Sequence, residues 1–542
     1  MGKFSDQVEQ LIKQHDYDNL SLANVLVERH DPEKIAFYFE SDEGEKRTYT
    51  YGELNELSKK FATVLKNQGV EKGSRVAVLL PKGPETFISA LAIWRLGAVY
   101  VPLFTAFEKK AISYRVEHSG ASVILTDAQN RVKVTEAFND MGEEAASNIT
   151  VITKDAKQLA DVDDIDYYEA LEQAEPFEDA VRVTKDDQMI LIYTSGTTGN
   201  PKGVDVPVFA LSAFEAYMRF GLDVKPEDIF WNIADPGWAY GLYYGVIGPL
   251  LLGQTFVVNQ GKFDVEWTYR MLRDYKVTNF AGAPTVYRTM RVHGTPDFID
   301  EINLKTLSSA GEPLNPDVSN WAEKVFGQPI YDHYGQTELG MCVVNLHKDD
   351  MRHEVKPGSM GPAMPGYRAV ILDDNGNELG PGEEGELAID IENSPLFWYR
   401  GYYNEPEKTK EVFSKDKRYY FTRDAASRDE DWMFFFSGRE DDIIISSGYR
   451  IGPFEVESSL MEHEAVAETA VVGVPDEQRG ELVKAYVILR QGYEPSDDLA
   501  KELSEFVKKN LSAHEYPRIV EFIDQLPKTP SGKIQRYLLR KH

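Results

Sequence analysis

The chain has 542 residues, 42% hydrophobic and 12% aromatic, so it can bury sizeable cores but is too long for a single one. Its 89 acidic against 59 basic residues give a formal charge of −30, which excludes general binding of nucleic acid or anionic membrane, since both attract basic surfaces. The single cysteine, Cys342, excludes an intrachain disulfide and any multi-cysteine metal site, and it reads as a buried spectator thiol in a reducing cytosol.

The N-terminus has no apolar signal core, and no stretch reaches the ~18 uncharged apolar residues of a membrane span, so a soluble, cytoplasmic protein is expected. Thr50-Tyr-Gly-Glu53 has the form of a capping box, and Leu54, Leu57, Phe61 and Leu65 then recur at helical spacing. Apolar runs at 76–80, 98–102 and 122–126 alternate with helical stretches, one of them from Glu85 to Leu96, which is the pattern of an α/β doubly wound sheet. Further strands are expected at 255–258, 279–281 and 369–372. Gly380-Pro-Gly-Glu-Glu-Gly385 fits the dinucleotide pattern G-x-G-x-x-G, but a strand rather than a helix follows it, and Glu383 and Glu384 would repel a pyrophosphate. It reads as a surface turn.

The segment Ile192-Tyr-Thr-Ser-Gly-Thr-Thr-Gly-Asn-Pro-Lys-Gly203 follows an apolar run and is rich in glycine and hydroxyls. Its backbone N–H groups, the hydroxyls of Thr194, Ser195, Thr197 and Thr198, and the charge of Lys202 suit a polyanion. Gly196 and Gly199 stand too close for a Walker A loop, and Gly203 follows Lys202 where that loop needs Ser or Thr. Near Gly438-Arg-Glu-Asp-Asp442 the composition changes abruptly from four charged residues to a β-branched run, as if a linker led into a small domain. The rest of the chain shows strands at 470–474 and 483–489, helices near 453–461 and 498–510, and a basic tail, Leu526-Pro-Lys-Thr-Pro-Ser-Gly-Lys-Ile-Gln-Arg536.

Taken together, the glycine loop, Tyr334-Gly-Gln-Thr-Glu338, Tyr420-Phe-Thr-Arg-Asp424, Gly438-Arg-Glu-Asp-Asp442 and Lys528-Thr-Pro-Ser-Gly-Lys533 resemble the ordered motifs of the acyl-adenylate-forming enzymes. That superfamily holds acyl-CoA synthetases, peptide-synthetase adenylation domains and luciferases. Ser447-Gly-Tyr-Arg-Ile-Gly-Pro-Phe-Glu-Val-Glu457 and Gly311-Glu-Pro313 look like its acetyl-CoA and medium-chain acyl-CoA synthetase branch. The resemblance implies a body of doubly wound sheets (1–438), a hinge (439–442) and a mobile α+β C-terminal domain (443–542).

It also implies a two-step reaction, in which a carboxylate attacks the α-phosphate of ATP, releasing pyrophosphate, and the thiol of coenzyme A then displaces AMP. Residues 194–199 and Lys202 would hold the β- and γ-phosphates, and Thr337 the α-phosphate. Glu338 would help to hold Mg²⁺. Gly311, Glu312, Pro313, Asp332, Tyr334, Gly335 and Gln336 would line the nucleotide, Asp424 would take the ribose hydroxyls, and Arg439 and Arg450 would stand near. Arg423 replaces the glycine that the family places before that aspartate, which puts the local loop shape in question. Lys533 is the expected adenylation catalyst, a cation between two anions. It would leave the site after the first step as the domain turns at Asp441, bringing Ser447 and Gly448 to the coenzyme A channel. Lys508 is a further coenzyme A contact or a solvated surface lysine. In relatives the equivalent of Lys533 is acylated for regulation, which would make a lysine acyltransferase and a deacylase partners.

Acetate-specific relatives carry tryptophan where this chain has Gly335, so the acyl pocket, with Trp238, Ala239, Gly241 and Ala310 as further walls, should admit acids larger than acetate. Either glycine opens the pocket, so that Gly335→Trp would shift preference to acetate, or it serves the backbone. Two other readings stand beside the ligase: an enzyme loading a separate carrier protein, the chain ending nine residues after Lys533, and a nucleotide-binding protein without catalysis. The full set Lys533, Glu338 and Asp424 argues against the last.

Overall fold

The computed structural model describes residues 4–540, apart from 16, 161, 195–200, 440, 447–448, 477–478, 512–514 and 529–532. The capping box forms as expected. The Thr50 hydroxyl accepts the Glu53 amide at 3.1 Å and the Glu53 carboxylate accepts the Thr50 amide at 2.9 Å, starting the helix Tyr51–Asn67. Its Leu54, Phe61 and Leu65 are buried, with Leu57 at the margin of the same cluster.

Two largely parallel sheets make the body. The first has the strand order 202–207, 188–194, 99–102, 75–79, 123–127, 150–154, 165–166, parallel except for the edge hairpin 188–194/202–207. The second has the order 340–344, 330–336, 306–310, 279–282, 229–232, 255–260, 35–41, 46–50, parallel within and closed by a hairpin at each edge. Parallel strands must be covered on both faces, which explains the runs of buried residues in Val76–Leu79 and Val123–Leu125. A third sheet, with the order 359–361, 434–439, 419–428, 385–390, 369–372, is antiparallel throughout. The strands expected in the body are present to within two residues, while the two expected at 470–474 and 483–489 begin earlier, at Val466 and Gly480. The strands at 35–41, 229–232, 306–310 and 330–336 are additional.

The glycine-rich decoy is a turn, with Gly382 at φ 78° and the Glu383 carboxylate accepting the Gly380 amide at 2.6 Å, and it leads into the strand Gly385–Asp390. From Arg439 the chain turns, the Asp442 and Ile443 amides donating to the Arg439 carbonyl, and enters a second, smaller α+β unit. Its strands 449–451, 444–446, 480–489 and 466–476 are joined by 519–522 along 480–489, and helices Pro453–Met461 and Asp497–Asn510 accompany them. Inside it, the Arg536 guanidinium grips both oxygens of Glu457 at 2.8 Å. The two units touch where Asn315 Nδ2 donates to Ser458 Oγ at 3.2 Å and the Phe436 and Phe454 rings meet. Cys342 is fully buried, and burial pushes its thiol well above the ordinary range, as a spectator requires. Among the described residues no helix is long and apolar enough to cross a membrane.

Candidate active site

The carboxyl ends of the two body sheets meet where Lys82, beyond the strand 75–79, donates to the Ile233 carbonyl beyond 229–232 at 2.8 Å and where Phe104 packs on Trp238, the usual place for a ligand in such folds. In the first sheet, Thr194 pairs with Lys202 across the edge hairpin, so the glycine loop spans strand to antiparallel strand rather than strand to helix. Among the described residues the loop is flanked by strands on both sides, the physical difference from a Walker loop, which leads into a helix. Ser195, Gly196, Thr197, Thr198 and Gly199 lie outside the described residues. Thr194 Oγ1 is buried and has no hydrogen-bond partner among the described residues, a polar atom left for a ligand. Lys202 Nζ donates to the Tyr402 hydroxyl at 3.1 Å, and burial holds its ammonium below the usual lysine range, against the pull of Glu338.

The second sheet supplies the facing wall. The strand Thr306–Ala310 ends in Gly311, whose φ of 103° suits only glycine, and this turn presents Glu312 and Pro313 at the open edge. Glu312 accepts the Thr285 amide at 3.0 Å and Arg288 at 2.8 Å; burial works to raise its carboxyl, but Arg288 and Thr285 outweigh it and leave it below the usual range. On the next strand Asp332 accepts from Ser309 Oγ at 3.0 Å and the Leu314 amide at 3.2 Å, and burial pushes its carboxyl up to about 7.

Farther along that strand, Tyr334 and Gln336 point at one oxygen of Asp424, at 2.5 and 2.8 Å, while Arg439 stands 3.7 Å from the other. Burial raises the Asp424 carboxyl above its ordinary value, with Arg439 the main opposing influence. The loop before it resolves the departure at position 423. Arg423 adopts φ 62°, the left-handed region that glycine prefers, and is held there by its guanidinium donating to the Glu411 carbonyl at 2.6 Å and its amide to Glu386 at 3.2 Å. The chain keeps the glycine-like turn with an arginine in it. Thr337 is half-buried with its carbonyl accepting from Tyr243 at 3.0 Å, and Glu338 is buried beside it, accepting from Tyr402 at 2.8 Å.

The small unit brings Lys533 to this group. Burial lowers its ammonium below the usual lysine range and Arg439 acts the same way, while Glu312, Asp424 and Glu338, all on the body, oppose. The residue nevertheless keeps solvent access, so protein surrounds it without sealing it from water. Asp441 lies exposed in the turn between the units, 3.5 Å from Arg439. Ser447 and Gly448 lie outside the described residues, as does the Arg450 side chain, whose backbone belongs to the strand Tyr449–Ile451. Lys508 pairs with Glu505 on its own helix at 3.0 Å and covers the Tyr516 ring, the behaviour of a surface lysine.

Among the residues expected to wall the acyl pocket, Trp238 packs against Phe104 and Phe107 with ring centroids 5.2 and 5.5 Å away, and its indole N–H is buried with no hydrogen-bond partner among the described residues. Ala239 is half-buried at its side; Gly241 and Ala310 are buried. Gly241 and Gly335 share a constraint: a Cβ at Gly241 would stand 2.1 Å from the Asp235 carbonyl oxygen, and one at Gly335 would stand 2.2 Å from that of Gly340. Both glycines are therefore required by close backbone approach. Sequence reasoning missed Lys82, whose amine donates to the Ile233 carbonyl at 2.8 Å and is lowered by burial to about 8, against the pull of Asp235. It also missed Tyr402. Among the described residues no group of three or more His, Cys, Asp or Glu is placed to hold a metal ion.

The AMP-binding enzyme family matches residues 26–403, and the AMP-binding enzyme C-terminal domain matches residues 455–533. The chain belongs to the AMP-binding enzyme family. It is 39% identical to the acetyl-coenzyme A synthetase of Bacillus subtilis (strain 168), covering 96% of this chain and 90% of that protein. It is 38% identical to a mitochondrial acyl-coenzyme A synthetase of Mus musculus, covering 93% and 86%. The crystal structure of a Brucella canis acyl-CoA synthetase superposes with a TM-score of 0.77 at 46% identity, covering 99% of this chain and 96% of that one. This family member is an ATP-dependent acid:CoA ligase of the AMP-forming kind, with coenzyme A as a substrate.

Proposed function

We propose that the enzyme activates medium-chain or other acids larger than acetate, and that the structure holds the arrangement of the first half-reaction. The second point is supported by Lys533, which lies on the small domain yet within reach of the charges of Glu312, Asp424 and Glu338 of the body, all three of which favour its charged form. There its cation would stand between the acid carboxylate and the α-phosphate, beside Thr337. Gln336 and Tyr334 hold Asp424 ready for the ribose, and Thr194 with Lys202 waits at the pyrophosphate end. Bound Mg²⁺ would offset phosphate charge. One oxygen of Glu338 is occupied by Tyr402 and no hydrogen bond from the described residues reaches the other, which suits an ion held mainly by phosphates and water with one protein carboxylate. The domain division at 439–442, with Asp441 as hinge, would let Lys533 withdraw and residues 447–448 approach coenzyme A in the second step.

The acid range is tested with a panel from acetate to dodecanoate, reading pyrophosphate, AMP and thioester. The highest kcat/KM is expected above three carbons; a maximum at acetate would refute the pocket reading. Adenylation without thioester would instead favour carrier loading. Asp424→Asn should raise the ATP KM by roughly 10- to 100-fold, the equivalent of a lost hydrogen bond to a charged group. The KM for the acid should stay nearly constant, and pyrophosphate exchange reads both; an unchanged ATP KM would remove Asp424 from the ribose site. Lys533 is also proposed as a regulatory acylation site for a lysine acyltransferase and deacylase. Adenylation should fall in step with the acylated fraction measured by peptide mass and return on deacylation; activity indifferent to that fraction would end the idea.

A further inference from the structure

Tyr402 stands between the two halves of the nucleotide site, and its placement is built into the backbone. Residue 402 bridges Val204 in antiparallel fashion, the Tyr403 amide donates to the Gly203 carbonyl at 2.7 Å, and Arg400 donates to Asp205 at 2.8 Å. The segment 400–403 is thus sewn to the strand Lys202–Pro207, so the tyrosine and Lys202 move as one piece. The Tyr402 amide donates to Thr409 Oγ1 at 2.8 Å, its ring packs against Tyr399, and the Lys202 ammonium lies 4.4 Å above that ring.

The hydrogen bonds at its hydroxyl have only one consistent direction. An ammonium can only donate, so the Tyr402 oxygen accepts from Lys202 at 3.1 Å; an ionised carboxylate can only accept, so the Tyr402 proton goes to Glu338 Oε1 at 2.8 Å. Burial and the charge of Glu338 raise the phenol far above its ordinary value, so this proton stays in place across the working range. Among the described residues Lys202 and Glu338 make no direct ion pair, although a cation and an anion stand on either side of one oxygen. A half-desolvated pair at that spacing attracts strongly and would close if nothing intervened.

We infer that the Tyr402 hydroxyl is a spacer that keeps Lys202 and Glu338 from collapsing into an ion pair, leaving the lysine's remaining N–H bonds and the second Glu338 oxygen for the polyphosphate end of Mg·ATP. The inference rests on the proposed reading of this site. Tyr402 is a positioning residue: it acts through the two charges that it holds apart. Without the hydroxyl, a phenylalanine ring would still fill the space, but the two charges would satisfy each other and both would be lost to the nucleotide.

The test is Tyr402→Phe in the full-length enzyme. The expected result is a rise of tenfold or more in the KM for ATP and in the Mg²⁺ concentration giving half-maximal rate, with the KM for the acid within twofold of wild type and the thermal midpoint unchanged or higher. Calorimetry with α,β-methylene-ATP should show the same loss without turnover, and the tightening of that probe by Mg²⁺ should shrink. Because the hydroxyl acts through the pair, Tyr402→Phe should add little to Lys202→Met in the double variant. Unchanged probe affinity and Mg²⁺ dependence would overturn the spacer, as would full additivity, or a lowered midpoint with the KM values for ATP and acid rising together. If wild type releases no pyrophosphate with any acid, the reading of the site itself fails. If wild type turns over and Tyr402→Phe matches it, only the spacer fails.

Discussion

Lys533→Ala should lower acyl-adenylate formation by roughly a hundred- to thousand-fold, or about 3–4 kcal/mol of transition-state stabilisation, while thioester formation from supplied acyl-AMP keeps most of its rate. The asymmetry follows from where the charge is needed. In the first step two anions meet, and the Lys533 ammonium is the cation that the small domain contributes beside Glu338 and Asp424; in the second step a thiol meets a mixed anhydride and no such cation is required between them. Stopped assays of the two half-reactions check this, and equal losses in both would refute a lysine with a single-step role. A pH dependence accompanies it. Lys533 loses its proton below the ordinary lysine value of 10.5, because burial and Arg439 disfavour the charged form. The active form is the protonated one, so adenylation should decline as pH rises through that lowered value. Lys533→Arg stays charged at every accessible pH and should erase that alkaline decline, whatever it does to the absolute rate.

The expectation for Lys533 came from the resemblance of Lys528-Thr-Pro-Ser-Gly-Lys533 to a family motif, whereas the passage into the smaller unit was legible as an abrupt change of composition at 438–445. The capping box at Thr50 needs only four residues to declare itself. The strands 306–310 and 330–336 were harder to read because of the polar residues that they carry toward the candidate site. Ile330-Tyr-Asp-His-Tyr-Gly-Gln336 breaks the apolar run expected of a central parallel strand, because Asp332, Tyr334 and Gln336 enter the site and are paid for by buried hydrogen bonds to Ser309, Leu314 and Asp424. Tyr402 was invisible for another reason: its partners lie 200 and 64 residues away in the chain, and no local pattern links a tyrosine after Arg-Gly to a lysine in a glycine loop. Arg423 shows the converse. The sequence revealed a substitution at a glycine position, but only the fold shows that the left-handed turn survives it, at a backbone cost of about 1–2 kcal/mol.

Gly335→Ala is expected to disturb the nucleotide site rather than the choice of acid. A Cβ at 335 would lie 2.2 Å from the Gly340 oxygen, 2.7 Å from the Met341 Cα and 2.8 Å from the Gly340 carbon. All three are backbone atoms of the paired strand Gly340–Val344, and the register already slips between Tyr334 and Gly335, so no side chain can swing aside to make room. Forcing an extra methyl into a packed position costs roughly 1–3 kcal/mol. Here the cost would be taken up by moving a hairpin that carries Tyr334 and Gln336 on one strand and Thr337 and Glu338 in its turn. The expected outcome is a lower thermal midpoint and an ATP KM raised about tenfold, with the chain-length profile of the acid panel unchanged in shape. The opposite pattern, an unaltered ATP KM with preference moved toward acetate, would mean that the glycine's vacant space belongs to the acyl pocket. Gly335→Trp alone cannot separate the two, since its indole carries the same Cβ. Measuring the ATP KM of both variants with a short and a long acid can, because a backbone effect acts on ATP whichever acid is present, whereas a pocket wall acts only on the long one.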